Sequence, residues 1–128
     1  PRGTTGYCHR IICAQDYSAV TAACMMVKRT AFEEVGGLSE ELQVAFNDID
    51  FCMKLRSAGY LIVYNPYAEL YHYESKSRGL EDTPEKVARF NREISIFEKR
   101  WPDILRNGDP YYNPNLTLKS QDFSLKRI

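Results

Sequence analysis

The stretch Phe46-Asn47-Asp48-Ile49-Asp50-Phe51, running on through Arg56 to Gly59, sets two carboxylates at the start of a helix with glycine on either side of it. Val35-Gly36-Gly37-Leu38 comes before it and Gly59 closes it, so the chain must turn at both places. Asn47 is the expected N-cap, because its side-chain oxygen can accept from a first-turn amide. Ile49, Cys52, Met53 and Leu55 give the helix apolar faces. Tyr60 to Tyr64 follows as a strand, rich in aromatic and β-branched residues and broken at Asn65-Pro66. A capped helix feeding directly into such a strand implies an α/β arrangement.

The flanking segments extend that expectation. Ser18 to Val27 is mostly apolar between Asp16 and Lys28-Arg29 and reads as a buried strand, although its alanines and methionines would also suit a helix. Thr30-Ala31-Phe32-Glu33 has the spacing of a capping box, opening a short helix that stops at Gly36-Gly37. Ala68 to Tyr73 has strand composition, and Glu74 to Asp82 is a polar loop. Thr83-Pro84 starts a long helix, 83–101, with a cap followed by proline at the first position. Val87, Phe90, Ile94, Phe97 and Trp101 then recur at helical steps as one apolar stripe, ended by Pro102. The tail, 107–128, is expected to be extended. Sheet strands are expected around Val20, Leu61 and Leu70, with the Asp48 helix and the long helix packed on them.

Bulk properties exclude several classes. At 128 residues this is one domain at most. The 17 basic and 17 acidic residues cancel, which argues against nucleic acid and anionic membranes as partners. No apolar run approaches the roughly 20 residues of a membrane span. Cys8, Cys13, Cys24 and Cys52 make neither a Cys-x-x-Cys pair nor a dense framework, and Cys24 and Cys52 lie among apolar neighbours as small core residues would. A reducing cytoplasmic compartment is expected. Pro1 is not a natural start, so the chain is expected to continue a longer one.

The chemistry-bearing residues have ordinary structural uses as well as reactive ones. Asp48 and Asp50 are two residues apart and do not share a helical face, so they are not a matched acid/base pair. Both can simply satisfy the helix N-terminus. The helix dipole favours the Asp48 anion, yet in a desolvated cleft beside a hydroxyl a carboxylate can accept a proton as a bond forms. His72 ends a tyrosine-rich segment, where a histidine either makes structural hydrogen bonds or lends one ligand to a divalent ion. Lys76 and Arg78 can hold phosphate oxygens or line a solvated loop. There is no Gly-rich phosphate cradle and no nucleophile elbow.

In order along the chain, these segments resemble one family. They are Val20-Thr21-Ala22-Ala23-Cys24-Met25-Met26-Val27-Lys28-Arg29, Phe32-Glu33-Glu34-Val35-Gly36-Gly37-Leu38, Asn47-Asp48-Ile49-Asp50-Phe51, Leu55-Arg56-Ser57-Ala58-Gly59-Tyr60 and Tyr71-His72. The succession resembles the C-terminal, acceptor-side half of a family 2 glycosyltransferase, an inverting, nucleotide-sugar-dependent enzyme of the GT-A fold. The likeness runs closely from Ser18 to Gly79. Asp109 to Leu116 also resembles the ending of bacterial members that build surface polysaccharides.

The resemblance implies a partial GT-A-like fold, one partial domain over 1–128 with its core at 18–79. It places the family's catalytic base on Asp48 and, as a departure, puts Asn47 where the family has glutamate. Asp50 joins Asn47 on the substrate side. His72 falls where a histidine often helps to bind the donor's metal, manganese or magnesium. Thr21, Ala22 and Ala23 fall where backbone comes near sugar and acceptor, with alanine replacing a glycine and tightening the pocket. The implied partners are a nucleotide-sugar donor and a glycan or lipid-linked acceptor, in polysaccharide synthesis.

The family's nucleotide-binding strands belong to an N-terminal half that these residues do not include. On its own, therefore, the piece is expected to be inactive, to hold no cofactor and to self-associate. A non-catalytic fragment or accessory domain that binds glycan or dimerises is the alternative.

Overall fold

The computed structural model describes residues 3–73 and 83–126. The chain forms, in order, β1 (Gln15–Tyr17), α1 (Arg29–Glu34), α2 (Asn47–Ser57), β2 (Ile62–Tyr64), α3 (Pro84–Arg100) and α4 (Pro102–Asn107). Single 3-10 turns occur at Tyr7–His9 and Ala22–Cys24. The fold is thus mixed α/β. Its sheet differs from the short mixed one expected from strands around Val20, Leu61 and Leu70. Among the described residues it is a two-stranded antiparallel ribbon in which Gln15 faces Tyr64, Asp16 faces Val63 and Tyr17 faces Ile62.

The Val20 and Leu70 regions supply no strand to it. Ser18 to Val27 is instead an irregular crossing with a 3-10 turn, and Cys24 is exposed rather than core. Ala68 to Tyr73 is likewise irregular and exposed. Strand composition alone did not make strands here, because a ladder needs a neighbour to pair with.

α2 is the centre of the molecule. Phe51, Cys52, Met53 and Leu55 are all buried, on successive sides of the helix, so its apolar residues lack a single stripe. They pack with Ala31 of α1, Ile62 of β2 and the half-buried Val20, Met25, Val35, Trp101 and Ile104. The ring of Phe32 lies 5.3 Å from that of Phe51. α1 stops where expected, with Gly36 and Gly37 at φ 74° and 64°. A Cβ at Gly37 would meet the tip of the Phe32 ring at 2.8 Å, so another residue there would be strained and would displace that ring. The Lys54 ammonium donates to the Gly37 carbonyl, fastening the corner to α2. The capping box is not used: α1 begins at Arg29 and Thr30 lies inside it.

α3 starts as expected, with the Thr83 oxygen accepting from the Lys86 amide and Pro84 in the first turn. Its apolar stripe is only partly buried. Phe97 is in the core, whereas Val87 and Phe90 remain 45% and 40% exposed. Pro102 ends α3 and at the same time begins α4, a helix that the tail composition did not announce. From Asp109 onward the chain forms turns and one antiparallel bridge, Leu116 to Leu125, rather than an extended run. It returns to the N-terminal segment, where Phe123 stacks on Tyr7 at 4.8 Å and the Arg10 guanidinium covers Phe123.

One buried charge ties these pieces together. Asp50 is fully buried. Its carboxylate accepts from the Ser39 hydroxyl at 2.6 Å, the Arg100 guanidinium at 3.0 Å and the Trp101 indole at 2.9 Å. Burial alone would raise its pKa. The hydrogen bonds from Ser39, Trp101 and Arg100, with the Arg100 charge, outweigh that and hold the carboxyl below its ordinary value. A carboxyl with a depressed folded-state pKa contributes stability that is complete above its unfolded value, about 4, and is lost as pH falls through the folded one. The fold should therefore weaken below about pH 4, measured by denaturant unfolding across pH. Asp50→Asn removes the buried charge that Arg100 pairs with, leaving Arg100 to the exposed Glu41, and should cost about 1–3 kcal/mol at neutral pH. A variant as stable as the parent would contradict this role.

Candidate functional site

The first turn of α2 is built without a side-chain cap. The residue before it is Phe46, in the left-handed region at φ 64°, and Asn47 is already helical. Asn47 is therefore not the N-cap. Its Oδ1 accepts from the next amide, Asp48 N, at 2.7 Å. Asp48 Oδ1 accepts in turn from Ile49 N at 2.9 Å, and the Phe46 carbonyl accepts from Asp50 N at 2.8 Å. The turn satisfies its own amides with short local bonds.

The second carboxylate oxygen of Asp48 points out of the helix to another segment. Oδ2 accepts from the Ala22 amide at 3.2 Å. Ala22 opens the 3-10 turn Ala22–Cys24, where Thr21 Oγ1 accepts from Ala23 N. One helical turn on, Cys52 Sγ donates to the Val20 carbonyl at 3.7 Å. Burial pushes the Cys52 thiol up, the Val20 contact works against this, and the Asp48 charge adds to it. Residues 20–23 and the start of α2 thus form one locus, with Thr21, Ala22 and Ala23 exposed and Asp48 half-buried. The small side chains let the backbone approach the carboxylate.

The structure separates the two acids completely. Asp48-Ile49-Asp50 is itself an Asp-x-Asp spacing, yet only Asp48 reaches the exposed locus, while Asp50 is spent on Ser39, Arg100 and Trp101. The pair cannot clasp one ion. Asp50, assigned to the substrate side, is itself buried and contacts the half-buried Ser39, Arg100 and Trp101, and Asn47 lies half-buried beside Asp48. His72 is exposed in the irregular segment after β2. Among the described residues no three histidine, cysteine or carboxylate side chains gather where an ion would sit. Lys76 and Arg78 lie outside the described residues.

Other functional-looking contacts had no signal in the sequence. The Arg56 guanidinium donates to the Ser18 hydroxyl at 2.9 Å, and that hydroxyl donates to Asp109 Oδ1 at 2.5 Å. Arg56 also covers the Tyr111 ring. This relay joins the end of α2, the chain after β1 and the Asp109-Pro110-Tyr111 turn. Ser18 and Asp109 are 91 positions apart, so no local pattern could pair them. Glu93, buried on α3, accepts from the Ala45 amide at 2.6 Å just before the site.

Comparison with known proteins gives partial relatives. No protein-family model and no solved structure matches the chain. A Sinorhizobium fredii protein described as uncharacterized protein y4gI is 56% identical across 98% of this chain, which is 14% of its own length. The O-antigen biosynthesis protein RfbC of Myxococcus xanthus is 34% identical across 88% of the chain and 8% of its own length. An N-acetylglucosaminyl-diphospho-decaprenol L-rhamnosyltransferase of Mycobacterium tuberculosis is 35% identical across 61% of the chain and 25% of its own length. The chain spans a quarter or less of each of these relatives.

The burial pattern around Asp48 generates a direct test. Cys8, Cys13 and Cys24 are exposed and Cys52 is buried beneath the site. A thiol-titrating disulfide reagent should modify the first three in the native protein and Cys52 only after unfolding. Rapid modification of Cys52 in the folded protein would contradict the packing.

Proposed function

We propose that this chain is the acceptor-side part of an inverting glycosyltransferase that transfers a sugar from a nucleotide-sugar to an acceptor hydroxyl in surface-polysaccharide synthesis. The observation that carries it is Asp48. It is the acid at the head of α2 whose second oxygen faces an exposed, small-residue turn, and it lies in a chain similar to part of a rhamnosyltransferase. Family 2 and the GT-A fold belong to the same proposal, on the succession of segments quoted above.

In this reaction the acceptor hydroxyl binds at the Thr21–Ala23 turn. Asp48 takes its proton while the oxygen attacks the anomeric carbon from the face opposite the leaving group. The bond to the nucleoside diphosphate breaks, its electron pair leaves with the diphosphate, and the anomeric configuration inverts. The nucleotide-binding residues lie outside this chain. His72 would contribute one ligand toward a donor-bound manganese or magnesium ion, but one histidine does not make a site, and no step runs through a metal here. No helix among the described residues is long and apolar enough to cross a membrane. A cytoplasmic reaction, on a glycan or lipid-linked acceptor, is part of the proposal.

One observation favours a non-catalytic role. Both oxygens of Asp48 hold backbone amides, as a purely structural carboxylate would. Substitution separates the two. In the complete enzyme, Asp48→Asn should lower turnover on the order of 100-fold or more while the protein stays folded. Asp50→Asn should act mainly on stability. Release of nucleoside diphosphate from a panel of nucleotide-sugars is the measurement, and an Asp48→Asn enzyme turning over like the parent would defeat the assignment.

The exposed apolar residues of β2 and its flanks are where we place the rest of the enzyme. Leu61, Val63, Leu70, Tyr71 and Tyr73 are each more than half exposed, apolar surface on and flanking a sheet strand. Residues 1–128 alone should cover it by self-association, visible as a concentration-dependent mass in light scattering. A strict monomer at high concentration would contradict this.

A further inference from the structure

Asp48 sits two residues beyond Phe46, and Phe46 is a conformational oddity. Its backbone is left-handed, at φ 64° and ψ 0°, where a residue with a Cβ is disfavoured by about 1–2 kcal/mol. A non-glycine residue persists there only when its surroundings over-determine it. No side-chain cap at Phe46 does so.

What surrounds it is one face of α3. The Phe46 ring lies 5.3 Å from Phe97 and 5.7 Å from Phe90. Between them on the same face, Glu93 accepts from the amide of Ala45 at 2.6 Å. Residues 90, 93 and 97 follow three- and four-residue steps, so they reach residues 45–46 together. Glu93 is 1% exposed, with the Arg89 guanidinium 3.9 Å away on the preceding turn. A buried carboxylate is costly without hydrogen bonds. Simple packing would be served as well by an apolar residue at that place. The acid instead fixes one amide, immediately before the strained residue and the head of α2.

We propose that Glu93 is a positioning residue: by holding the Ala45 amide while Phe90 and Phe97 clamp the Phe46 ring, it locks the left-handed entry to α2 and so aims Asp48 at Ala22. The functional meaning rests on Asp48 being the base, but the geometry can be tested apart from activity. Without the clamp, Phe46 relaxes toward ordinary backbone angles. The first turn of α2 rotates, and the Oδ2 contact to Ala22 is lost.

The test follows the Ala22 amide proton by NMR at neutral pH. In the parent, its hydrogen bond to Asp48 deshields this proton, and Asp48→Ala moves the signal upfield. Glu93→Ala should move it the same way while the Cys52 amide signal stays in place. Glu93→Gln, which keeps an acceptor oxygen, should leave it where the parent has it. A folded Glu93→Ala protein with the Ala22 signal unmoved, or a Glu93→Gln protein with it moved, overturns the proposal. Should Glu93→Ala fail to fold, Phe90→Ala decides, since Phe90 is 40% exposed and can be trimmed without opening the core. An upfield Ala22 signal in Phe90→Ala supports the clamp, and an unmoved one overturns it. None of these outcomes depends on Asp48 being a base. An inactive Asp48→Asn enzyme is likewise no evidence for the clamp.

Discussion

The buried carboxylate of Asp50 is the point from which the rest of the fold is held. It gathers a hydroxyl from the Gly36-Gly37 corner region, a guanidinium from the end of α3 and an indole from the α3–α4 junction. Ser39 comes from the chain just after that corner, and Arg100 and Trp101 are neighbours at the end of α3. Losing the Arg100 pair would leave the buried Asp50 charge poorly compensated, so the two segments are obliged to stay together. Arg100 also reaches Glu41, extending the tie to the loop before α2.

That arrangement explains how two acids so close in sequence have separate fates. A helix turns about 100° per residue, so Asp50 points almost opposite to Asp48. One side of α2 is given to the Arg100–Trp101 anchor and the other to the Ala22 turn. Anchoring the helix by Asp50 gives Asp48 a rigid base. The α3 face with Glu93, Phe90 and Phe97 bears on the entry to the same helix. A side chain supported from both sides is held more precisely than one on a mobile loop.

Much of this was legible in the sequence, and what was not has physical causes. The α2 helix, its stop before Gly59, the Gly36-Gly37 corner, the β2 strand and the Thr83-Pro84 start all follow from short-range chemistry, and all are found. The contact of the Thr21–Ala23 turn with Asp48 joins residues 26 positions apart and was not announced by either segment. The failures are long-range. Val20 and Leu70 have strand composition but no partner strand among the described residues, and the Thr30 box lost to an earlier helix start at Arg29. Asn47 would have capped α2 had Phe46 not entered the left-handed region. Ser18, Arg56, Asp109 and Glu93 act through partners 38 to 91 positions away, which no periodicity reports.

The central claim is that Asp48 accepts a proton, not merely that it shapes a helix. Chemical rescue tests it most directly. In the complete enzyme, Asp48→Ala leaves a space at the head of α2 that a small carboxylate can enter. Added formate should restore part of the lost nucleoside diphosphate release, rising with formate concentration, because a diffusible base replaces the missing one. An Asp48→Ala enzyme that formate does not revive, although folded and still binding donor, would contradict the account and leave Asp48 as a structural carboxylate.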